Sequence, residues 1–245
     1  MKEEDSIALL VLTNAKRRDA LQATIASAEE HLLGPVRRRV IADDSKSGEA
    51  ATWLRSRFPR WQVEPLPQPR IPYTVIWVGK RRGGIRIQRR SYCHAVQGAA
   101  AVAVASGCRY VFWLEDDFIF LEDIPLNAMK RELENHPCLV QISLKRQPWY
   151  PYEVEAGDVL ATYPKDSIVQ HQTWVSHRHW FTMNPMLCRR TLFVDAPWPG
   201  PPDCERRFGT TLRQDPNVVF GVWGQMTDPP RVLHIGESRA GSGEY

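Results

Sequence analysis

Tyr110-Val111-Phe112-Trp113-Leu114-Glu115-Asp116-Asp117 is the stretch that decides the fold. Its apolar part shows no polar alternation, the pattern of a strand covered on both faces, and such burial belongs to sheets flanked by helices. The run then ends in three carboxylates. Adjacent like charges repel and gain little from burial unless a cation offsets them, and the usual agent is a bound divalent metal. A second apolar run, Val40-Ile41-Ala42, likewise ends in acid, Asp43-Asp44. Open α/β sheets bind ligands outside the carboxyl ends of their strands, so both acidic tips are expected to face one crevice. That crevice reads as a site for a metal and a nucleoside diphosphate.

Outward from this strand, the first half alternates strand and helix. Ile7 to Leu12 is a continuous apolar run closed by Thr13-Asn14. Leu21, Ile25, Ala28 and Leu32 then recur at helical spacing until Gly34-Pro35. A helix is expected over 49–58, before Pro59, and Pro65 to Pro72 reads as a connection. Tyr73 to Val78 reads as a third strand, Gly79 to Gly84 as a basic loop, and the small residues of Gln88 to Ser106 suit a helix lying close on a sheet. This order implies an α/β fold with a mostly parallel central sheet flanked by helices. The second half is less regular. Strands are expected over 139–143, 172–176, 218–222 and 232–235, and a helix over 203–212. No clean boundary divides the 245 residues, so one domain is expected: a nucleotide-binding half over 1–125, and an acceptor-binding half with a lid or tail over 126–245.

Hydrophobic content of 43% with 24% charged residues is ordinary for a globular chain. No apolar stretch approaches the roughly 18 residues of a membrane span, and the acidic start Met-Lys-Glu-Glu-Asp is unlike a signal peptide. A cytoplasmic location is expected. The 5 cysteines form no CxxC pair, which argues against a disulfide framework or a thiolate zinc site and for reduced, mostly buried side chains. Net charge is only +4, yet no acidic residue falls between Glu64 and Glu115, where Arg70, Lys80, Arg81, Arg82, Arg86, Arg89, Arg90 and Arg109 cluster. Such a block attracts phosphate; a solvated basic loop is the plainer reading. Neither GxxxxGK[ST] nor GxGxxG is present, so a bound nucleotide must rely on metal and arginine instead of a glycine cradle. Glu115-x-Asp117 offers one carboxylate for a hard cation and another for ribose or metal-bound water; the rival reading makes Asp116 or Asp117 a helix cap.

In this arrangement the chain resembles the GT-A (Rossmann-like) glycosyltransferases, in particular the family 2-like ones. The residues carrying the resemblance are Leu12-Thr13-Asn14 after the first strand, Asp43-Asp44 after the second, Gln88-Arg89-Arg90-Ser91 entering a helix, and the acidic tip Glu115-Asp116-Asp117. The resemblance covers residues 6 to 125 well and the remainder more loosely. It implies a sugar moved from a nucleoside-diphosphate sugar to an acceptor hydroxyl, with inversion. Thr13, Asn14, Asp43, Asp44, Glu115 and Asp116 would then bind the donor, with Arg89, Arg90 or Arg239 on its diphosphate and Trp223 as an apolar platform for the sugar. Asp117 and a late His234 would hold Mn²⁺ or Mg²⁺, the imidazole tilting the choice toward manganese. Glu205, or failing it Asp203, would deprotonate the acceptor, expected to be a protein or a modified nucleic-acid base. Each role has a rival: His234 as a satisfied core histidine, Asp203 and Glu205 as helix N-terminal charges. His177, His179 and His171 suggest a second metal site or, more simply, exposed polar strand positions. Trp149-Tyr150-Pro151-Tyr152 could line an acceptor groove. Two other classes compete: a sugar-phosphate nucleotidyltransferase, disfavoured by the lack of glycine in Thr13–Arg17, and a basic nucleic-acid-binding module, which leaves the acidic tips unexplained.

Overall fold

Strand Ile7–Thr13 (β1) is buried along its whole length because its two faces serve two cores. Ile7, Leu9 and Val11 enter one apolar cluster, Leu10 and Leu12 the other. The computed structural model describes residues 6–67, 90–195, 198–199 and 203–236. After β1 come Arg18–His31 (α1), Leu32–Leu33 (β2), Val36–Asp43 (β3), Gly48–Arg57 (α2), Gln62–Pro65 (β4), Arg90–Ala105 (α3) and Tyr110–Glu115 (β5). Then follow Phe118–Phe120 (β6), Ile124–Pro125 (β7), Leu126–Asn135 (α4), Leu139–Leu144 (β8), Pro151–Ala156 (α5), Ile168–Gln170 (β9) and Trp174–His177 (β10). Met186–Arg189 (β11), Leu192–Asp195 (α6), Cys204–Leu212 (α7), Val219–Trp223 (β12) and Val232–His234 (β13) complete the described chain.

A 9-stranded sheet carries the fold, in the order β4-β3-β1-β5-β11-β8-β12-β10-β9. The first four run parallel, as the strand–helix alternation implies, and β8 and β12 continue that direction. β11 and β10 are reversed, so the sheet is mixed, not purely parallel. The alternation of β5 repeats that of β1: Tyr110, Phe112 and Leu114 join the cluster covered by α1, α2 and α4, while Val111 and Trp113 join the one covered by α3, α6 and α7. Burying such a side chain contributes about 1.5–3 kcal/mol, and this is what fixes β5 at the centre.

Several boundaries differ from expectation. Leu32 belongs to the short β2, not to the preceding helix. β3 starts at Val36, so Arg37, Arg38 and Arg39 lie in a strand whose first half is open to solvent. Gln62–Pro65, just before the connection expected over Pro65 to Pro72, forms the edge strand β4. Among the elements not anticipated are α4, where Leu126, Met129 and Leu133 share a buried face, and the reversed β11. The strand expected at 232–235 forms as β13, but it pairs with β6 outside the main sheet. All 5 cysteines are free, and all but Cys138 are buried. The strand expected at Tyr73–Val78, the basic 79–84 loop, Arg89 and Arg239 lie outside the described residues. Among the described residues no helix is long and apolar enough to cross a membrane.

Candidate active site

Sheet register brings the sequence-distant acidic tips to one edge. Thr13 aligns with Asp43 and Leu12 with Glu115, so β1, β3 and β5 end together. Glu115, Asp116 and Asp117 are only 9%, 3% and 0% exposed. No helix follows them; the chain turns directly into β6, so neither aspartate caps a helix start. Their carboxylates diverge. Glu115 accepts from the Tyr92 hydroxyl of α3 at 2.8 Å. Asp116 accepts from Thr13 Oγ1 at 2.6 Å and from Arg17 Nη2 at 2.7 Å, and the same Nη2 donates to Asp117 Oδ2 at 2.9 Å. Among the described residues the Arg17 guanidinium supplies a cation to Asp116 and Asp117. The β1–α1 turn aims Arg17 here: the Thr13 hydroxyl accepts the Ala15 amide at 2.9 Å, and Ala15 takes a left-handed φ of 53°.

His234 reaches the same point from the other end of the chain. Its Nε2 stands 3.1 Å from Asp117 Oδ2. The β6–β13 ladder sets His234 opposite Phe118, and the Gln147 side chain clamps its backbone, donating to His234 O at 2.9 Å and accepting from His234 N at 2.8 Å. The imidazole lies edge-to-face with Trp149 at 4.3 Å. Beyond it the Ile235 amide donates to Asp117 O at 2.8 Å. A Cβ on Gly236 would overlap Asp117 Oδ2 and come within 2.8 Å of Arg17 Nη1, so only glycine lets the backbone pass so close to the carboxylate. A carboxylate oxygen and an imidazole nitrogen suit a divalent ion that takes its remaining ligands from phosphate and water. Among the described residues no group of three His, Cys, Asp or Glu could hold a metal unaided.

Glu205 stands in the first turn of α7 and accepts the Met183 amide at 2.8 Å. Burial pushes its carboxyl above the usual glutamate value, while the Met183 amide, the Thr182 hydroxyl and the Arg146 charge pull it back. Asp203 adopts the left-handed conformation just before α7 and pairs with exposed Arg206 at 3.1 Å. Its side chain makes no helix cap. The segment from Lys145 to Tyr150 runs between the two poles: Arg146 is within electrostatic reach of Glu205, and Gln147 holds His234.

The other expected site residues are distributed as follows. Asp43 is buried and accepts the Ser45 amide at 2.8 Å; Asp44 is half-buried, its carboxyl raised by burial against the opposing Lys46 charge. Asn14 is exposed and accepts the Lys16 amide at 3.1 Å. Arg90 opens α3, with its side chain outside the described residues. Trp223 corrects its expectation: at 5% exposure it is part of the main core and offers no open platform. His177 is no exposed polar strand residue either. It is buried and stacked on Trp180 at 3.7 Å, and burial holds it neutral by lowering its pKa to about 3. His179 contacts Ser167 and His171 contacts Ser176, so the three histidines do not converge on a metal. Sequence reasoning missed Arg17, Tyr92, Gln147 and Gly236. Only Arg17 carried a readable signal, a cation just beyond a strand tip that faces two acidic ones.

No family model and no curated protein matches this chain. Among solved structures it superposes on S. aureus TarS, a family 2-like glycosyltransferase, with a TM-score of 0.54 at 11% identity over 94% of this chain. A second structure, S. aureus TarS 1-349, gives 0.53 at 11% identity over the same share. The fold is GT-A-like. This chain spans only 36% and 60% of those two chains' lengths. At such identity the likeness concerns architecture alone.

Proposed function

We propose that the protein is a metal-dependent glycosyltransferase that moves a sugar from a nucleoside-diphosphate sugar to an acceptor hydroxyl with inversion. The observation that carries this reading is the meeting of Asp117 and His234 at 3.1 Å on the sheet edge, with the 145–150 segment touching His234 through Gln147 and reaching Glu205 through the Arg146 charge. The GT-A-like fold supports a nucleotide-sugar donor at that edge. Asp43, Asp44, Thr13 and Asn14 line its nucleotide side, and Glu115 and Asp116 brace the tip. A divalent cation held by Asp117 and His234 would supply Lewis-acid stabilisation of the diphosphate. Arg17 Nη1 is buried and without a hydrogen-bond partner among the described residues, so it has a donor to give to a phosphate oxygen. Arg89, Arg90 and Arg239 are further candidates for the same charge.

Glu205 is the proposed base. A carboxyl raised by burial holds a proton more strongly than a solvated one, which suits it to take the acceptor's proton as the hydroxyl attacks the anomeric carbon, a contribution of about 10²–10⁴-fold. Asp203, engaged with Arg206, is the weaker candidate. In the test, Asp117→Ala loses turnover together with manganese-dependent binding of UDP or GDP, read by calorimetry. Glu205→Gln keeps that binding and loses transfer. Full activity in Asp117→Ala would remove the metal assignment, and full transfer in Glu205→Gln would return the base role to Asp203 or to the substrate.

A further inference from the structure

An aromatic wall lines the approach to Glu205. Tyr150 and Tyr152 are stacked at 5.5 Å and 3° between their planes, and Tyr152 is 56% exposed. Tyr163 continues the wall, stacked on His179 at 4.3 Å and on Trp180 at 4.6 Å. Trp180 in turn lines a small notch with Arg146, Thr182 and Asn184, and the Thr182 hydroxyl is one of the Glu205 partners. Tyr150 lies within electrostatic reach of the Glu205 carboxylate.

The charges of this wall are consumed within it. Arg146 donates both terminal nitrogens to Glu153 at 2.9 Å and one also to Gln147 O. Glu153 further accepts the Trp149 and Tyr150 amides, so the ion pair also braces the start of α5. Lys145 donates to Met226 O and Asp228 O and pairs with Asp158. Exposed Glu155 adds negative charge, and exposed Lys165 is followed at once by Asp166. A polyanion needs unspent Lys and Arg to replace its counterions, and among the described residues Arg146 and Lys145 of this wall are already paired with Glu153 and Asp158. What it presents is aromatic faces with hydroxyl edges, which suit a ring that is apolar on its C–H face and polar at its rim.

We propose that the acceptor is a neutral saccharide, its ring laid on the Tyr150–Tyr152 pair with one hydroxyl directed at Glu205. This rests on the glycosyltransferase reading. In the step, the donor's anomeric C–O bond to the diphosphate breaks with its electron pair leaving on the diphosphate. The acceptor oxygen forms the new anomeric bond, and its proton passes to Glu205. A nucleic-acid acceptor is disfavoured at this wall.

The test measures acceptor and donor separately on the full chain. Saturation-transfer NMR with maltose, lactose and chitobiose as probes should show transfer to at least one of them. Tyr152→Ala should weaken that interaction by about five- to tenfold, and Tyr152→Trp should restore it. The exposed position of Tyr152 keeps the substitutions clear of the core. Absence of transfer to all three sugars overturns the proposal, as does equal transfer in wild type and Tyr152→Ala, or duplex DNA binding that Tyr152→Ala weakens. Calorimetry of UDP and GDP with manganese reports on the donor reading independently: donor binding without saccharide binding sinks only the acceptor proposal, and no donor binding sinks the function itself.

Discussion

Glu205 shows how one partly buried carboxyl ties stability to chemistry. Burial raises its pKa, so the folded chain binds that proton more tightly than the unfolded chain does. The group's favourable contribution is therefore present below the unfolded value of about 4.5 and is lost as pH rises through the higher folded value. Two outcomes are expected. The acid limb of kcat/KM in the wild type falls above the ordinary glutamate range, and any residual transfer in Glu205→Gln lacks that limb. Thermal unfolding of Glu205→Gln then exceeds wild type at neutral pH and converges with it in acid, because the variant does not have to ionise a buried group. An unchanged melting temperature at both pH values would contradict the buried-base assignment. Asp117 is a different case, with the Arg17 guanidinium offsetting its charge and His234 Nε2 within hydrogen-bond distance. Removing Arg17 as Arg17→Met leaves two buried carboxylates with less compensation. Stability should fall by about 1–3 kcal/mol in denaturant titrations, and manganese with UDP should recover more of it than in wild type.

At the scale of the element, α7 sets where Glu205 stands. Its Gly209 passes so close to the segment before β11 that an added Cβ would lie 2.8 Å from Phe181 Cβ and 3.1 Å from the Phe181 amide nitrogen. The same segment supplies the Met183 amide that Glu205 accepts. Gly209→Ala must push helix and segment apart, costing about 1–3 kcal/mol as overpacking does. It should reduce transfer more than it reduces donor binding, since the Asp117–His234 pair belongs to other elements; equal loss of both would contradict this. His177 at the end of β10 gives a second signature. Its depressed pKa of about 3 means a stability contribution present above pH 6.5 and lost as pH falls toward 3. His177→Phe should flatten the pH dependence of unfolding over that window.

Across the whole molecule, the site depends on the chain's two halves closing on one another. β13 from the C-terminal half pairs with β6, and that pairing brings His234 to Asp117, 117 positions earlier. Metal and donor should therefore bind cooperatively and stabilise the entire fold. At a concentration about a hundredfold above Kd, UDP or GDP with manganese should raise the melting temperature by roughly 5–10 °C. A chelator should abolish the shift, and manganese without nucleotide should give much less, because Asp117 and His234 alone leave most coordination positions to solvent.

Periodicity and its interruptions made the architecture legible: unbroken apolar runs in β1 and β5, carboxylates or Thr at their tips, and helical spacing between them. A local pattern states how many faces an element buries, and a strand tip states where ligands gather, so the acidic edge and the strand–helix alternation around β1, β3 and β5 could be read directly. Other features could not. Which carboxylates Arg17 meets, Gln147 as the clamp on His234, and the withdrawal of Trp223 into the core each depend on which distant side chains meet. So does the reversal of β11, whose four residues carry no mark of direction. Those encounters are decided by packing two helical layers against one twisted sheet, and no short window of sequence contains both partners.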